Sequence, residues 1–284
     1  MGKIDLHTHS TASDGSLSPT ELIIKAHEHG VNRLALTDHD TIDGITEALY
    51  AGDKSGIEVI AGIELSVNYE TGDLHLLGYG FDSLHHELNT IVKKLQNSRS
   101  DRNDRIITKL NELGYPDLEE SLQEFSGDGV VGRGHIAQAL LKSGKFESVQ
   151  DVFEQLLSIG SPAYVDRYRL TIEDAISMIH RAGGIAVWAH PGLYDDFENM
   201  LLQLPNWVDA GLDGLESDYS MHSIELRDRL RSIAISHGII YTGGSDFHGS
   251  LKPDIMLGQG ANGELVSEDC YDSLIERMES LKHD

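Results

Sequence analysis

The sequence predicts an α/β protein in which helices cover a parallel sheet, as either a closed barrel or an open sheet. Two observations support this prediction. Short apolar segments alternate with helical patterns at both ends of the 284-residue chain. Several of these segments are apolar throughout, which is typical of strands buried on both faces. The alternation stops between about residues 83 and 162, so we expect an insertion there.

Seven segments are predicted strands: 3–7, 33–37, 58–64, 73–79, 184–189, 212–216 and 239–243. The helix predicted after the first strand has the clearest signals. Ser18 is its N-cap and forms a capping box with Glu21, Pro19 lies in its first turn, and Gly30 ends it. Further helices are predicted around 44–54, over 171–182 and over 222–237.

Residues 83–162 are predicted to be helical throughout, with turns at 114–116 and 127–134. This segment also contains a concentration of positive charge. Six of the 22 basic residues of the chain lie close together in it: Lys93, Lys94, Arg99, Arg102, Arg105 and Lys109. Two interpretations stay open, because such a charge run is either a solvated helix face or a surface that binds phosphate.

Composition excludes several classes of protein. The chain has 22 basic and 47 acidic residues, and its formal net charge is −25. Such a charge repels phosphate, so we expect no binding to duplex nucleic acid or to an anionic membrane. Cys270 is the single cysteine, which excludes an intrachain disulfide and a thiolate metal cluster. No signal-peptide pattern or membrane-spanning apolar run is recognisable, and we expect a cytoplasmic protein.

Histidine and acidic residues concentrate at or beyond the ends of the predicted strands. Nine of them form the predicted metal-ligand set: His7, His9, Asp14, His39, Glu64, His75, His190, Asp246 and His248. Alternate strand residues point the same way, so His7 and His9 can reach one ion. The carboxyl ends of parallel strands meet at one edge, and imidazole and carboxylate groups suit Zn, Mn or Fe. A lone histidine is weak evidence, and the prediction depends on the joint occurrence.

Six spaced motifs resemble those of the PHP (polymerase and histidinol phosphatase) superfamily. In chain order they are Asp5-Leu6-His7-Thr8-His9-Ser10 with Asp14-Gly15, Leu36-Thr37-Asp38-His39-Asp40-Thr41, Gly62-Ile63-Glu64, His75, Ala189-His190-Pro191-Gly192 and Gly244-Ser245-Asp246-Phe247-His248-Gly249. The resemblance implies a distorted (β/α)7 barrel with a helical insertion. It divides the chain into a first barrel part (1–82), an insertion that acts as a substrate lid (83–162) and a second barrel part (163–284).

The resemblance also implies two to three divalent metal ions, of Mn, Zn or Fe. One ion would be held by His7, His9, Glu64 and Asp246. A second would be held by Glu64, His75 and His190, with Glu64 as the bridge, and a third by Asp14, His39 and His248. The expected nucleophile is a metal-bound hydroxide held by Glu64, His190 and Asp246.

Within the superfamily, the chain is most similar to single-domain phosphoesterases that act on nucleotide 3′,5′-bisphosphates and on short RNA from the 5′ end. The similar segments lie in or beside the insertion: Arg99-x-x-Arg102, Gly132-Arg133-Gly134-His135-Ile136-Ala137 and Pro162-Ala163-Tyr164-Val165. Relatives often have Pro where Gly134 stands. Arg133 follows a Gly-rich turn and precedes an apolar helix, a position suited to a phosphate.

The candidate substrate-binding residues are therefore Arg99, Arg102, Arg133, His135 and Tyr164. The arginines could instead be surface residues, and Tyr164 could be a packed aromatic instead of a base-stacking one. The predicted reaction converts a nucleoside 3′,5′-bisphosphate to the 5′-monophosphate and phosphate, and short 5′-phosphorylated RNA is a further expected substrate. Two alternatives remain, a histidinol-phosphate phosphatase and a non-catalytic metal-binding interaction module.

Overall fold

A computed structural model describes residues 2–69, 72–118, 121–122 and 131–281. Seven strands form one sheet in which each strand pairs with the next one along the chain. They are β1 (Lys3–Thr8), β2 (Val31–Leu36), β3 (Glu58–Tyr69), β4 (Gly72–Tyr79), β5 (Ile185–Trp188), β6 (Gly214–Tyr219) and β7 (Ile240–Gly244). All seven strands predicted from the sequence are present, with ends shifted by a few residues.

The sheet closes on itself almost completely. Thr8, at the end of β1, forms a parallel bridge with Phe247, just after β7. The His9 amide donates to the Phe247 carbonyl at 3.0 Å, and the Asp246 amide donates to the His7 carbonyl at 2.8 Å. These bonds join the two edges at the end where β1 and β7 both terminate. The predicted seven-stranded barrel is therefore confirmed.

The prediction of an entirely parallel sheet is wrong for β4. This strand runs antiparallel to both β3 and β5, whereas the other neighbouring pairs are parallel. Only two residues separate the end of β3 from the start of β4, and a connection that short permits only an antiparallel pair. Consequently His75, in the first half of β4, lies opposite Ser66 and at the same edge as the carboxyl ends of the parallel strands.

The described helices are α1 (Pro19–Glu28), α2 (Ile45–Ser55), α3 (His86–Glu112), α4 (Arg133–Lys142), α5 (Val149–Val152), α6 (Ile172–Arg181), α7 (Phe197–Asp209), α8 (Ile224–His237) and α9 (Glu268–Leu281). The capping box of α1 is confirmed, because the Ser18 amide donates to Glu21 and the Glu21 amide donates to the Ser18 hydroxyl. The sequence analysis did not assign α7 and α9. No helix in the described ranges is both long and apolar enough to cross a membrane.

The predicted insertion has an apolar core of its own. Ile106 and Leu110 of α3 pack with Ile136 and Leu140 of α4 and with residues of the following segment. The first half of α3 instead packs on the barrel side, since Leu88, Val92 and Leu95 belong to the larger cluster that includes β3 and α6. Helix α3 thus belongs to both cores. The π-helical turn Phe153–Leu157 follows α5 directly. The first half of the predicted turn at 127–134 lies outside the described residues.

Candidate metal centre

The structure brings all nine predicted ligands to one mouth of the barrel. They come from six of the strands and the turns after them. Glu64 and His75 lie within β3 and β4, while His39, His190 and Asp246 follow β2, β5 and β7. The carboxyl edge of the parallel strands therefore positions the set, and the antiparallel direction of β4 places His75 among them.

The first group consists of His7, His9, Glu64 and Asp246, all buried. The Nε2 atoms of His7 and His9 lie 3.3 and 3.2 Å from Glu64 Oε2. The same two nitrogens lie 3.6 and 3.1 Å from Asp246 Oδ1. Two imidazole nitrogens and two carboxylate oxygens thus face one point, in the grouping that the resemblance implied.

The second group surrounds the other oxygen of Glu64. His75 Nδ1 lies 2.7 Å and His190 Nε2 lies 2.9 Å from Glu64 Oε1. The two nitrogens are 3.3 Å apart. Since Oε2 faces the first group and Oε1 the second, Glu64 has the geometry of a bridging carboxylate.

The third group consists of His9, Asp14, His39 and His248. His248 Nε2 lies 3.3 Å from Asp14 Oδ1, and His39 Nε2 lies 3.8 Å from Asp14 Oδ2. His9 Nδ1 is 3.8 Å from Asp14 Oδ1. The sequence analysis did not anticipate that the two ring nitrogens of His9 face different groups.

Burial and the crowding of charges shift the protonation of these groups. Burial is the largest effect on His39 and lowers its pKa to about 3, so the ring is neutral and can donate a lone pair. Burial also opposes protonation of His9, but the adjacent carboxylates of Asp246 and Glu64 raise its pKa to about 9. The surrounding imidazoles hold the pKa of Glu64 well below its usual range despite burial. The Glu64 carboxylate is therefore ionised.

The donor set fits divalent transition-metal ions. Among the described residues, the buried atoms His9 Nε2 and His39 Nδ1 have no hydrogen-bond partner. Both lie within 3.2 Å of a Glu64 oxygen. A buried polar nitrogen without a hydrogen bond is costly unless it has another partner. Clustered imidazole and carboxylate groups are ligands of Zn, Mn and Fe, so a bound cation would satisfy these atoms.

Three non-glycine residues at the mouth have backbones in the left-handed region. The φ angles are 52° for Asp40, 32° for His190 and 58° for Asp246. A non-glycine residue in this region is strained by about 1–3 kcal/mol, and such strain concentrates at functional sites. Here it occurs where β5 and β7 end and where the segment after β2 turns toward β3.

Several residues that support this mouth carry no sequence motif. The Tyr219 hydroxyl donates to Asp246 Oδ2 at 2.9 Å, and Lys252 Nζ donates to the same oxygen at 2.6 Å. Asp246 thus keeps Oδ1 toward the histidines and Oδ2 toward these two donors. Glu216 contacts both His7 and the His190 backbone. These roles follow from contacts in the folded chain and not from any sequence motif.

A cavity of about 200 Å³ extends from the metal centre toward the insertion. We call it the arginine chamber, because Arg99, Arg102, Arg133 and Arg167 line it. Predicted metal ligands form its other wall: Asp14, His39 and His75. A group at the metal centre therefore has guanidinium groups as its immediate neighbours.

Two carboxylates organise the chamber. Asp40 Oδ2 accepts from Arg99 at 2.5 Å and lies 3.0 Å from Arg167. Asp73 accepts from Arg133 at 2.7 Å and also from Arg169. The sequence analysis missed Arg167 and Arg169, which lie outside the similar motifs.

Arg102 is the exception in this chamber. It is buried, and its described hydrogen bonds go to the neutral amide of Asn103, at 2.9 and 3.1 Å. Burial, followed by the charges of neighbouring arginines, lowers the pKa of Arg102 to about 8. A buried cation without a carboxylate as its hydrogen-bond partner is unfavourable even with Asp73 nearby, so the chamber favours an anionic ligand.

The other predicted substrate residues have different positions. Tyr164 lines an outer cavity of about 410 Å³ together with Phe153 and Ile159, and Arg133 and Asp73 line both cavities. His135 is buried, and its Nδ1 accepts from the Gly132 amide at 3.3 Å. It is absent from the described lining of both cavities, so its predicted contact with substrate has no support here.

Comparisons with known proteins agree with this geometry. The model of the PHP domain family matches residues 5–169. A 5'-3' exoribonuclease of Haemophilus influenzae is 38% identical over 87% of this chain and 90% of its own length. A 3',5'-nucleoside bisphosphate phosphatase of Chromobacterium violaceum is 34% identical over 87% and 88%. A solved amidohydrolase structure from the same organism, with bound sulfate and no metal, has a TM-score of 0.87 and 31% identity, covering 98% of this chain and 96% of that one. The chain belongs to the PHP domain family.

Proposed function

We propose that this protein is a metal-dependent phosphoesterase that removes the 3′-phosphate of nucleoside 3′,5′-bisphosphates and also acts on short 5′-phosphorylated RNA. One observation carries the proposal. The predicted metal ligands His39 and His75 line the same cavity as Arg99, Arg102 and Arg167. A substrate with one phosphate at the metal centre and a second phosphate nearby fits this pairing of sites.

The nine mouth residues would hold two to three divalent ions, of Mn, Zn or Fe, in the three groups described above. Bound cations supply a nucleophile from water near neutral pH and neutralise phosphoryl oxygens. Glu64, with one oxygen toward each of two groups, would set their separation. Asp246 and His190 would complete the sites on either side of it.

The arginine chamber would bind the phosphate that is not hydrolysed. Guanidinium groups bind phosphate oxygens through paired charge-assisted hydrogen bonds. Arg102 has no carboxylate among its described partners and is free to bind such an anion, whereas Asp40 holds Arg99 and Arg167 in place beside it. The chamber therefore favours substrates with two phosphates over those with one.

The outer cavity would hold the nucleoside. Phe153, Ile159 and Tyr164 offer apolar surface on one side, and Asp73 offers a carboxylate at the boundary with the chamber. Aromatic rings stack on any base without reading its sequence. Phe153 and Ile159 lie within 83–162 and Tyr164 lies just beyond it, so we propose that this insertion acts as the lid over the substrate.

The overall charge sets a limit on substrate size. Away from the chamber, a chain with a net charge of −25 repels long polyanions. We therefore propose mononucleotides and short single strands as substrates, and no duplex nucleic acid. The relatives named above, a phosphatase of bisphosphates and an exoribonuclease, support this range.

The two alternatives fit the geometry less well. Histidinol phosphate carries one phosphate and a cationic side, and the arginine chamber would repel that side. A non-catalytic metal-binding module would not need a cluster of guanidinium groups beside its ligands. The pairing of the two sites therefore favours an enzyme that acts on nucleotides.

The test is phosphate release by purified protein loaded with Mn2+. Adenosine 3′,5′-bisphosphate, histidinol phosphate and 5′-phosphorylated oligonucleotides are compared, with chelator-treated protein as the control. We expect turnover of the bisphosphate and the short oligonucleotides, and its loss after chelation. Preferential cleavage of histidinol phosphate would overturn the substrate assignment. Failure to cleave any substrate with metal verified as bound would overturn the enzymatic proposal.

A further inference from the structure

We propose that Glu216 is a positioning residue that prepares two of the metal positions at once. It would fix the proton of His7 on Nδ1, and it would hold the backbone that presents His190. This inference depends on the proposed function, because it assigns a role around the same metal centre. The experiment below separates the failure of one from the failure of the other.

Glu216 lies within β6, which pairs with β5 on one side and β7 on the other. His190 directly follows β5, and the end of β7 meets β1, the strand that carries His7. Its side chain is fully buried. Oε1 lies 3.0 Å from His7 Nδ1, and Oε2 accepts from the His190 amide at 2.8 Å. Each carboxylate oxygen thus has its own partner, and the two partners belong to different groups of the metal centre.

The contact with His7 decides which ring nitrogen can bind a metal. A carboxylate oxygen at this distance accepts a hydrogen bond from the ring, so Nδ1 is the nitrogen that carries the proton. With a metal bound, Nε2 would then present its lone pair on the side of Glu64 and Asp246, which lie 3.3 and 3.6 Å away. A carboxylate on the outer nitrogen of a metal-bound histidine fixes both the tautomer and the ring orientation.

The contact with His190 acts on the backbone. His190 has φ 32° and ψ 58°, a left-handed conformation that a non-glycine residue rarely adopts. This conformation starts the short helical turn Pro191–Leu193 and aims the His190 ring at Glu64 and His75. The hydrogen bond from its amide to Glu216 stabilises the conformation from inside the barrel.

Both oxygens are therefore required. A glutamine at this position has one oxygen and one NH2 group. The His190 amide is always a donor, so the oxygen must stay with it, and the NH2 group then faces His7. The NH2 group can only donate to Nδ1, which moves the ring proton to Nε2. That proton occupies the lone pair that the metal needs.

The same strand offers a matched control. Asp218 is also buried on β6, and it accepts from Arg231 at 2.8 Å and from the Ser267 amide at 3.1 Å. Its described partners, which include Cys270, lie outside the metal centre. Asp218→Asn makes the same change from carboxylate to amide, two residues away from Glu216.

The experiment measures metal binding and does not depend on activity. Wild type, Glu216→Gln and Asp218→Asn are stripped of metal and titrated with Mn2+, and the bound metal is counted by mass spectrometry. Thermal unfolding of the metal-free forms reports folding. We expect Glu216→Gln to bind at least one ion about 10–100-fold more weakly than wild type, and we expect wild-type affinity in Asp218→Asn.

Equal affinity in wild type and in folded Glu216→Gln would overturn the inference and leave the proposed function intact. Wild type that takes up no Mn2+ would overturn the proposed function and this inference with it. If Glu216→Gln does not fold, Glu216→Asp and Glu216→Asn make the same comparison at equal size. The aspartate variant should then bind Mn2+ more tightly than the asparagine variant, and equal binding would overturn the inference.

Discussion

The metal centre takes its side chains from strands and strand ends of one barrel, whereas the arginine chamber takes its guanidinium groups from α3, the start of α4 and the segment before α6. The first is built on paired backbone that closes on itself. The second is assembled from a helix shared between two cores and from side chains held by Asp40 and Asp73. The two sites meet along one wall of a single cavity.

Because of this difference, we expect the two regions to bind different parts of the reacting complex. Ionised carboxylates and imidazoles at the barrel mouth fit cations, and buried guanidinium groups in the chamber fit an anion. Changes in the metal centre should therefore alter metal content and turnover together. Changes in the chamber should alter substrate binding and leave the metal in place.

The largest effect should follow from Glu64→Gln. Glu64 faces two groups of ligands with its two oxygens, and an amide cannot bridge as a carboxylate does. We expect kcat to fall by about 10³-fold or more, with metal content measured in parallel. Glu58→Gln is the control, because Glu58 lies on the same strand and contacts Tyr271 instead. Full turnover by Glu64→Gln would show that the metal centre does not depend on Glu64, and the proposed difference between the two regions would fail.

Asp40→Asn should have the next largest effect, on stability. The charges of Arg167 and Arg99 hold the pKa of the buried Asp40 below its usual range despite burial, so the carboxylate is ionised in the folded protein. Removing it leaves two buried cations without their shared partner, at a cost of about 3 kcal/mol in the free energy of unfolding. Urea unfolding measures this free energy, and Asp73→Asn, at a more exposed carboxylate, is the comparison variant.

Inorganic phosphate refines the same prediction. It should raise the unfolding midpoint of Asp40→Asn by more than that of wild type, because an added anion replaces the missing charge. An equal rise in both proteins would show that phosphate does not bind in the arginine chamber.

Arg102→Ala should have a smaller effect, confined to substrate binding. A hydrogen bond to a charged group contributes about 1.5–3 kcal/mol, so we expect KM for adenosine 3′,5′-bisphosphate to rise by about 10–100-fold with metal content unchanged. Arg105 lies on the same helix but is exposed, so Arg105→Ala is the matched control. An equal loss on a nucleoside 3′-monophosphate would place Arg102 outside the second-phosphate site.

The convergence of the nine predicted side chains at one mouth of the barrel followed from the sequence, and physical reasons explain why. Residues such as His7, His9 and His190 follow local rules, since a strand end fixes where a side chain points, and the motifs occur in order. His75 was included in the predicted set and lies at this mouth, but the antiparallel direction of its strand was not predicted. The third predicted strand stopped at Glu64, whereas β3 continues to Tyr69. Had the strand been extended, the two-residue gap to Gly72 would have required a hairpin.

The supporting residues could not be predicted in the same way. Glu216, Tyr219 and Lys252 act through partners that are distant along the chain or lie in turns without a motif. Arg167 acts on Asp40 across more than a hundred positions. Charge and periodicity describe single elements, whereas these contacts depend on how the elements pack. His135 shows the converse, because a motif-like position turned out to be buried and bonded to Gly132.

The smallest effect should come from Phe153→Leu, at the boundary of the two cavities. Its ring lines both of them. Leucine keeps the apolar volume and removes the stacking face, so we expect a loss of about 1 kcal/mol, or about fivefold in KM, for adenosine 3′,5′-bisphosphate. A sugar bisphosphate without a base should show no change. Phe146→Leu is the control, because that ring packs on Tyr115 within the core of the insertion. An equal loss on the base-free substrate would mean that Phe153 supports the chamber by packing, and the nucleoside would then have to bind elsewhere.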